Sequence, residues 1–235
     1  MPCTERRRAG TFGIMWTLIR QNALFFGPYL LVLLIVGGWQ AVYTQTELMQ
    51  WVNARYSPAA DVFFTYVTYL GDGAFFAVVF VSLLFRSFRW TVKCLVSFLL
   101  TTLAAQGLKH LFFPDSLRPR AFYESSGLQF HTVDGVVLHS FNSFPSGHST
   151  SAFALFCLLA LMVRDKRWGV VFLVLACLAA YSRVYLFQHF VEDVYVGSLL
   201  GVGLTLLSFS ALQGYWQRKP KPWLDRRIRL RRRNQ

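Results

Sequence analysis

Lys109, His148, Arg183, His189 and Asp193 are ionisable residues set beside long apolar runs. His189 and Asp193 are four apart, so on a helix they share one face. A carboxylate so placed can hold one imidazole nitrogen and leave the other free as a nucleophile or a base. A second histidine, His148, is then available to give a proton to a departing oxygen. Lys109, Arg118 and Arg183 supply three cations without a matching cluster of carboxylates, a set suited to a bound anion. Pro145-Ser146-Gly147-His148 opens an apolar run. Glycine lets a ligand approach the backbone closely, and a helix N-terminus offers free N–H groups at a positive dipole end. Phosphate is the natural guest for this combination.

The elements that must position these residues follow from composition. Of 235 residues, 54% are hydrophobic and only 15% charged, where a soluble domain carries about 25% charged residues. Such a chain cannot cover a water-facing surface, and it is too apolar to be disordered. Four cysteines in this length exclude a disulfide scaffold. An integral membrane protein is expected. A span needs about 20 apolar residues, and reading for such runs gives six candidates: 24–43, 61–85, 91–113, 149–163, 168–187 and 190–212. The second is interrupted by Gly71-Asp72-Gly73, and a polar stretch, 114–144, follows the third. The expected fold is all-α and six-span, one membrane domain over 1–235. It divides into an N-terminal segment 1–23, a catalytic core 24–213 and a basic tail 214–235. Phe12 to Leu18, with Trp16 and Arg20, suits a helix lying in the membrane interface.

Charge sets the orientation, because Lys and Arg stay on the cytoplasmic side. Of 24 such residues, most flank one ends-set of the spans. They are Arg6, Arg7, Arg8 and Arg20, then Arg86, Arg89 and Lys93, then Arg164, Lys166 and Arg167, and the tail from Arg218 to Arg233. Only Arg55, Lys109, Arg118, Arg120 and Arg183 fall on the other side. Both termini are therefore expected in the cytoplasm, and the ionisable cluster on the outer, in a bacterial inner membrane periplasmic, face. Basic character in so apolar a chain points to lipid phosphates rather than nucleic acid. Cys3 and Cys94 fall on the inner side and Cys157 and Cys177 inside spans, where packing is their expected role.

Taken in order, Lys109…Arg118-Pro119, then Pro145-Ser146-Gly147-His148, then Ser182-Arg183…His189…Asp193 resembles the three-part signature of the type 2 phosphatidic acid phosphatase superfamily. Ser-Arg, five residues, His, three residues, Asp matches in full; eight residues separate Lys109 from Arg118, two more than the usual form. The resemblance implies that His189 attacks phosphorus and becomes a phosphohistidine, with Asp193 orienting it and His148 protonating the departing alkoxide. Lys109, Arg118, Arg183, Ser146 and the Gly147 backbone would hold the phosphoryl oxygens, with neither metal nor cofactor. Undecaprenyl diphosphate, phosphatidylglycerol phosphate, phosphatidic acid and a phosphate on lipid A are the substrates it implies.

Other polar residues take blander roles. Arg55 suits a snorkelling anchor, and Glu192 a local pair. His131 and His139 flank Asp134 in the outer stretch without helical spacing or a further obvious ligand. Arg120 is either a loop cation or a second phosphate contact. The aromatic residues Phe122, Tyr123, Phe130, Phe141 and Phe144 suit an entrance for acyl chains, and the tail a polybasic contact with anionic lipid. Two rival functions share the residues: a phosphotransferase passing the phosphoryl group to another lipid, and a lipid or anion transporter using the cations as a path.

Overall fold

A computed structural model describes residues 10–228, and among these the regular structure is helical throughout. Cys3, Arg6, Arg7, Arg8 and the tail arginines 229 and 231–233 lie outside the described residues. Helix α1 (Thr11–Gln21) buries Ile14 and Leu18 while Phe12 and Trp16 stay exposed, and Arg20 stacks over the Trp16 ring at 5.3 Å. The buried side of α1 packs on the last long helix, where Ile14 lies beside Gly214. Helix α2 (Ala23–Val42) follows. A short helix absent from the sequence-based layout, α3 (Gln45–Asn53), is started by a capping box in which Thr44 and Glu47 satisfy each other's backbone N–H.

The second expected span is broken. Helix α4 (Pro58–Val67) runs into a 3-10 turn over Thr68–Gly71, and α5 (Gly73–Leu84) restarts from Asp72 as N-cap, the halves bent by 52°. The break falls where the chain passes against His148. A Cβ on Gly71 would lie 2.6 Å from the His148 carbonyl oxygen, so only glycine lets the chain pass here.

Helix α6 (Phe88–Gly107) ends in a π turn over Leu108–Phe112, and a short α7 (Pro119–Tyr123) stands in the polar stretch. Then come α8 (Gly147–Met162), α9 (Trp168–Tyr185) and α10 (Val191–Arg218), the last extending six residues past its expected end. Four helices, α2, α6 with its π turn, α9 and α10, are long and apolar enough to cross a bilayer, or five spans if the bent pair is one. Helix α8 has only 16 residues, short of a full crossing. It is wrapped by α6, α9 and α10, with every residue from Ala152 to Leu158 buried. Its surroundings are protein, which explains its near-uniform apolarity.

The largest interface joins α8 to α10. Gly197 and Gly201 lie on the contact, where a Cβ would sit 2.7 Å from the Ser146 carbonyl oxygen and 2.5 Å from that of Thr150. Two glycines four apart let the backbones touch, the small-residue device of membrane helix pairs. The closeness brings the starts of the two helices side by side, and the Ser146 N–H donates to the Asp193 carbonyl at 3.0 Å. At the opposite end the chain after α10 folds back beneath α6. Arg89 pairs with Asp225 at 2.7 Å, and Phe88 N–H donates to the Arg226 carbonyl.

Candidate active site

The end of α6, the start of α8, the end of α9 and the start of α10 all lie at one end of the bundle. His189 stands in the connection between α9 and α10, and its position is set by how α9 stops. Gln188 N–H reaches back to the Arg183 carbonyl and Phe187 N–H to that of Val184, while Phe187 takes the left-handed φ of 57°. That is a Schellman ending, built here without the usual glycine. The His189 N–H also donates to the Arg183 carbonyl at 3.2 Å. Arg183 and His189 are thus tied to one turn, which is what the five-residue spacing encodes.

Asp193 sits in the first turn of α10, and its Oδ2 gathers three donors. The Phe190 backbone N–H donates at 2.9 Å, capping the helix; His189 Nδ1 lies at 3.3 Å; the Ser143 hydroxyl donates at 2.5 Å. Ser143 also lies 3.5 Å from His189 Nδ1. A carboxylate acceptor assigns the proton to Nδ1, so the Nε2 lone pair is free of it. Burial, and then the charges of Arg118, Arg183 and Lys109, hold the His189 imidazole well below its ordinary pKa. At neutral pH it is uncharged and carries a lone pair.

The three cations converge from separate elements. Lys109, in the π turn, donates from Nζ to the carbonyls of Asn142 at 2.6 Å and Ser143 at 3.4 Å. Arg118 donates from Nε to the Phe141 carbonyl at 3.0 Å, and from Nη1 to Gln188 Oε1 at 3.2 Å and its carbonyl at 3.3 Å. Lys109 and Arg118 therefore meet on the same loop residues, 141–143. The π turn and the following turn at Phe113–Ser116 accommodate their long separation. Arg183 donates from Nη1 to Thr68 Oγ1 at 2.8 Å, while its Nε is buried and has no partner among the described residues. An orphaned guanidinium donor beside two further cations is a place for an oxyanion.

Ser146 caps α8, its hydroxyl accepting from the Ser149 N–H at 3.3 Å and the Ser149 hydroxyl at 3.0 Å. That cap takes the Ser149 N–H and leaves those of Gly147 and His148 in the first turn of the helix. His148, on that turn, has Nε2 3.9 Å from Asp72 Oδ2. His148, Lys109, Arg118 and Arg183 all stand close enough for their charges to act on His189. The eight singled-out residues thus gather in one place. Ser143, Gln188 and Thr68, which hold them there, carry no sequence signal beyond being polar.

Elsewhere the structure corrects one expectation. Tyr123 and Phe130 are not an entrance for acyl chains: they pack with Phe187 and Phe190 into a second small core that supports the α9–α10 turn. Phe122 and Phe141 remain exposed, and Phe144 packs edge-on to Phe113. Arg120 serves the loop, donating to the Leu138 carbonyl at 3.2 Å. His131 lies away from the cations, its Nε2 3.0 Å from Asp61 Oδ2 and its ring stacked on Tyr56. The Glu192 N–H donates to Gln45 Oε1, and Arg55 donates to the Trp51 carbonyl. An apolar cavity of about 520 Å³ between α2, α3, α9 and α10 contains none of the eight site residues.

A sequence profile of the PAP2 superfamily matches residues 90–217. Lipid A 1-phosphatase of Rhizobium johnstonii is 30% identical over 144 residues, 61% of this chain and 48% of that protein. Undecaprenyl-diphosphatase BcrC of Bacillus subtilis is 28% identical over 46% of this chain and 53% of its own length. This chain thus spans about half the length of these curated relatives. Among solved structures, LpxE of Aquifex aeolicus superposes with a TM-score of 0.61 at 27% identity, covering 69% of this chain and 93% of that one. A PAP2-type phosphatidylglycerolphosphate phosphatase of Bacillus subtilis superposes with a TM-score of 0.53 at 25% identity, covering 82% and 96%.

Proposed function

The chain belongs to the PAP2 superfamily, and we propose that it is a membrane lipid phosphatase acting through a phosphohistidine. The observation that carries this is the buried His189–Asp193 pair facing three cations, one of which keeps a guanidinium donor with no partner among the described residues. In the proposed reaction Lys109, Arg118, Arg183, Ser146 and the Gly147 N–H hold the non-bridging phosphoryl oxygens. His189 Nε2 attacks phosphorus in line, forming an N–P bond as the bond to the lipid oxygen breaks. His148 gives its proton to that oxygen. A water then loses a proton to His148 and attacks phosphorus, the N–P bond breaks, and inorganic phosphate leaves with both histidines restored. Asp193 steadies the positive charge that the attacking imidazole acquires. Positioning and charge neutralisation are most of what phosphoryl transfer asks of a protein.

Six crossings belong to the same proposal, with α4–α5 as one broken span and α8 as a short one sheathed in protein. Both termini then lie in the cytoplasm and the site faces outward. The substrate class is a phosphomonoester or diphosphate of a lipid. Names of relatives point to lipid A phosphates, undecaprenyl diphosphate and phosphatidylglycerol phosphate as the first to try. Purified protein given these lipids should release inorganic phosphate from at least one. Failure on all of them, or recovery of the phosphoryl group only on a second lipid, would overturn hydrolysis as the function.

A further inference from the structure

The break at Gly71-Asp72-Gly73 places a carboxylate where the reaction needs one, and the two oxygens of Asp72 divide its work. Oδ1 accepts from the Ala74 N–H at 2.7 Å and caps α5; Oδ2 faces His148 Nε2 at 3.9 Å. We propose that Asp72 is a positioning residue that favours the protonated form of His148, the form that delivers a proton to the leaving oxygen. The proposal rests on the assignment of His148 as proton donor.

Electrostatics gives the need for it. Burial is the strongest influence against an imidazolium at His148, and the phosphate-binding cations add to it: Arg183 from the end of α9, Arg118 from the loop before α7, and Lys109 from the π turn, with His189 close by. Each positive charge opposes an imidazolium. Asp72 offsets part of this, so without its charge the protonated donor would be scarcer still. Asp72 is the carboxylate turned toward it. At 3.9 Å the pair is a charge contact and not a hydrogen bond, so Nε2 is not committed to Asp72 and stays free to serve the substrate. The approach is enforced by Gly71, where a Cβ would lie 3.2 Å from the His148 Cβ as well as 2.6 Å from its carbonyl oxygen.

The test is the pH dependence of kcat/KM, which reports the free enzyme, measured on a lipid phosphate and on p-nitrophenyl phosphate. Asp72→Asn keeps an oxygen to cap α5 and removes the charge; Asp72→Ser keeps a capping hydroxyl and removes the charge. Both should move the alkaline limb on the lipid downward by roughly one pH unit. The loss should approach tenfold above the limb and nearly vanish below it. On p-nitrophenyl phosphate, whose leaving group needs little protonation, the limb should not follow. Superimposable profiles, or an equal loss at every pH on both substrates, would overturn the role of Asp72. The same assay on His148→Ala tests the premise separately. A loss confined to the lipid upholds it, whereas equal losses on both substrates would remove the proton donor and this proposal with it.

Discussion

Replacing Ser143 by Ala takes away one of the three donors to Asp193 Oδ2 and leaves the Phe190 N–H and His189 Nδ1. Ser143 is fully buried, so water cannot take the place of its hydroxyl. A hydrogen bond to a charged group contributes about 1.5–3 kcal/mol. If all of it were felt only in the transition state, kcat would fall more than tenfold, since about 1.4 kcal/mol is one decade. Two donors survive and the imidazole keeps its partner, so orientation degrades and does not collapse. A loss of roughly tenfold in kcat is expected. It should be the same on a lipid phosphate and on p-nitrophenyl phosphate, because His189 serves both. In an Asp193→Asn background the same change should cost much less, since the coupled partner is already altered. The assay is steady-state phosphate release from detergent-purified variants of matched thermal stability. Wild-type turnover in Ser143→Ala, or an undiminished penalty in the Asp193→Asn background, would refute the hydrogen-bonded chain from Ser143 to His189.

Gly201→Ala would push a Cβ to 2.5 Å from the Thr150 carbonyl oxygen. It should destabilise by about 1–3 kcal/mol in thermal melts, while Gly203→Ala, which meets open space, should be neutral or mildly stabilising. Arg183→Lys keeps a charge but loses the planar fork that reaches Thr68 and leaves Nε free. A drop of about tenfold or more in kcat/KM is expected, since a single ammonium cannot replace two directed donors. Orthovanadate should inhibit competitively, and EDTA should leave turnover unchanged; activity lost to chelation and regained with a divalent cation would contradict a site served by cations of the chain alone.

Much of the site could be read from the sequence because its signal is local. His189 and Asp193 are four residues apart, although His189 stands just before α10 and not on it as the helical spacing suggested; Ser146 starts a helix, and the cations are conspicuous against apolar runs. What the sequence hid is tertiary. Ser143, Gln188 and Thr68 are ordinary polar residues until folding sets them beside Asp193, Arg118 and Arg183, 50, 70 and 115 positions away. The Schellman ending at Phe187 lacks the glycine or asparagine that would announce it. The break at Gly71 looked like a defect in a span and is where the chain passes against His148. Aromatic residues of the outer stretch suggested a lipid entrance because exposure cannot be inferred from type; Tyr123 and Phe130 instead build a core under the catalytic turn. Gly197 and Gly201 carried a readable small-residue spacing whose meaning depended on knowing that α8 lay opposite.

The fate of the phosphoryl group tests the proposed chemistry most directly. Protein incubated with a ³²P-labelled lipid phosphate and quenched in alkali, where phosphohistidine survives, can be digested and the labelled peptide sequenced by mass spectrometry. Label on Nε2 of His189 is expected, with none on the protein and no phosphate released in His189→Ala. Label on any other residue, or continued phosphate release by folded His189→Ala, would contradict His189 as the nucleophile.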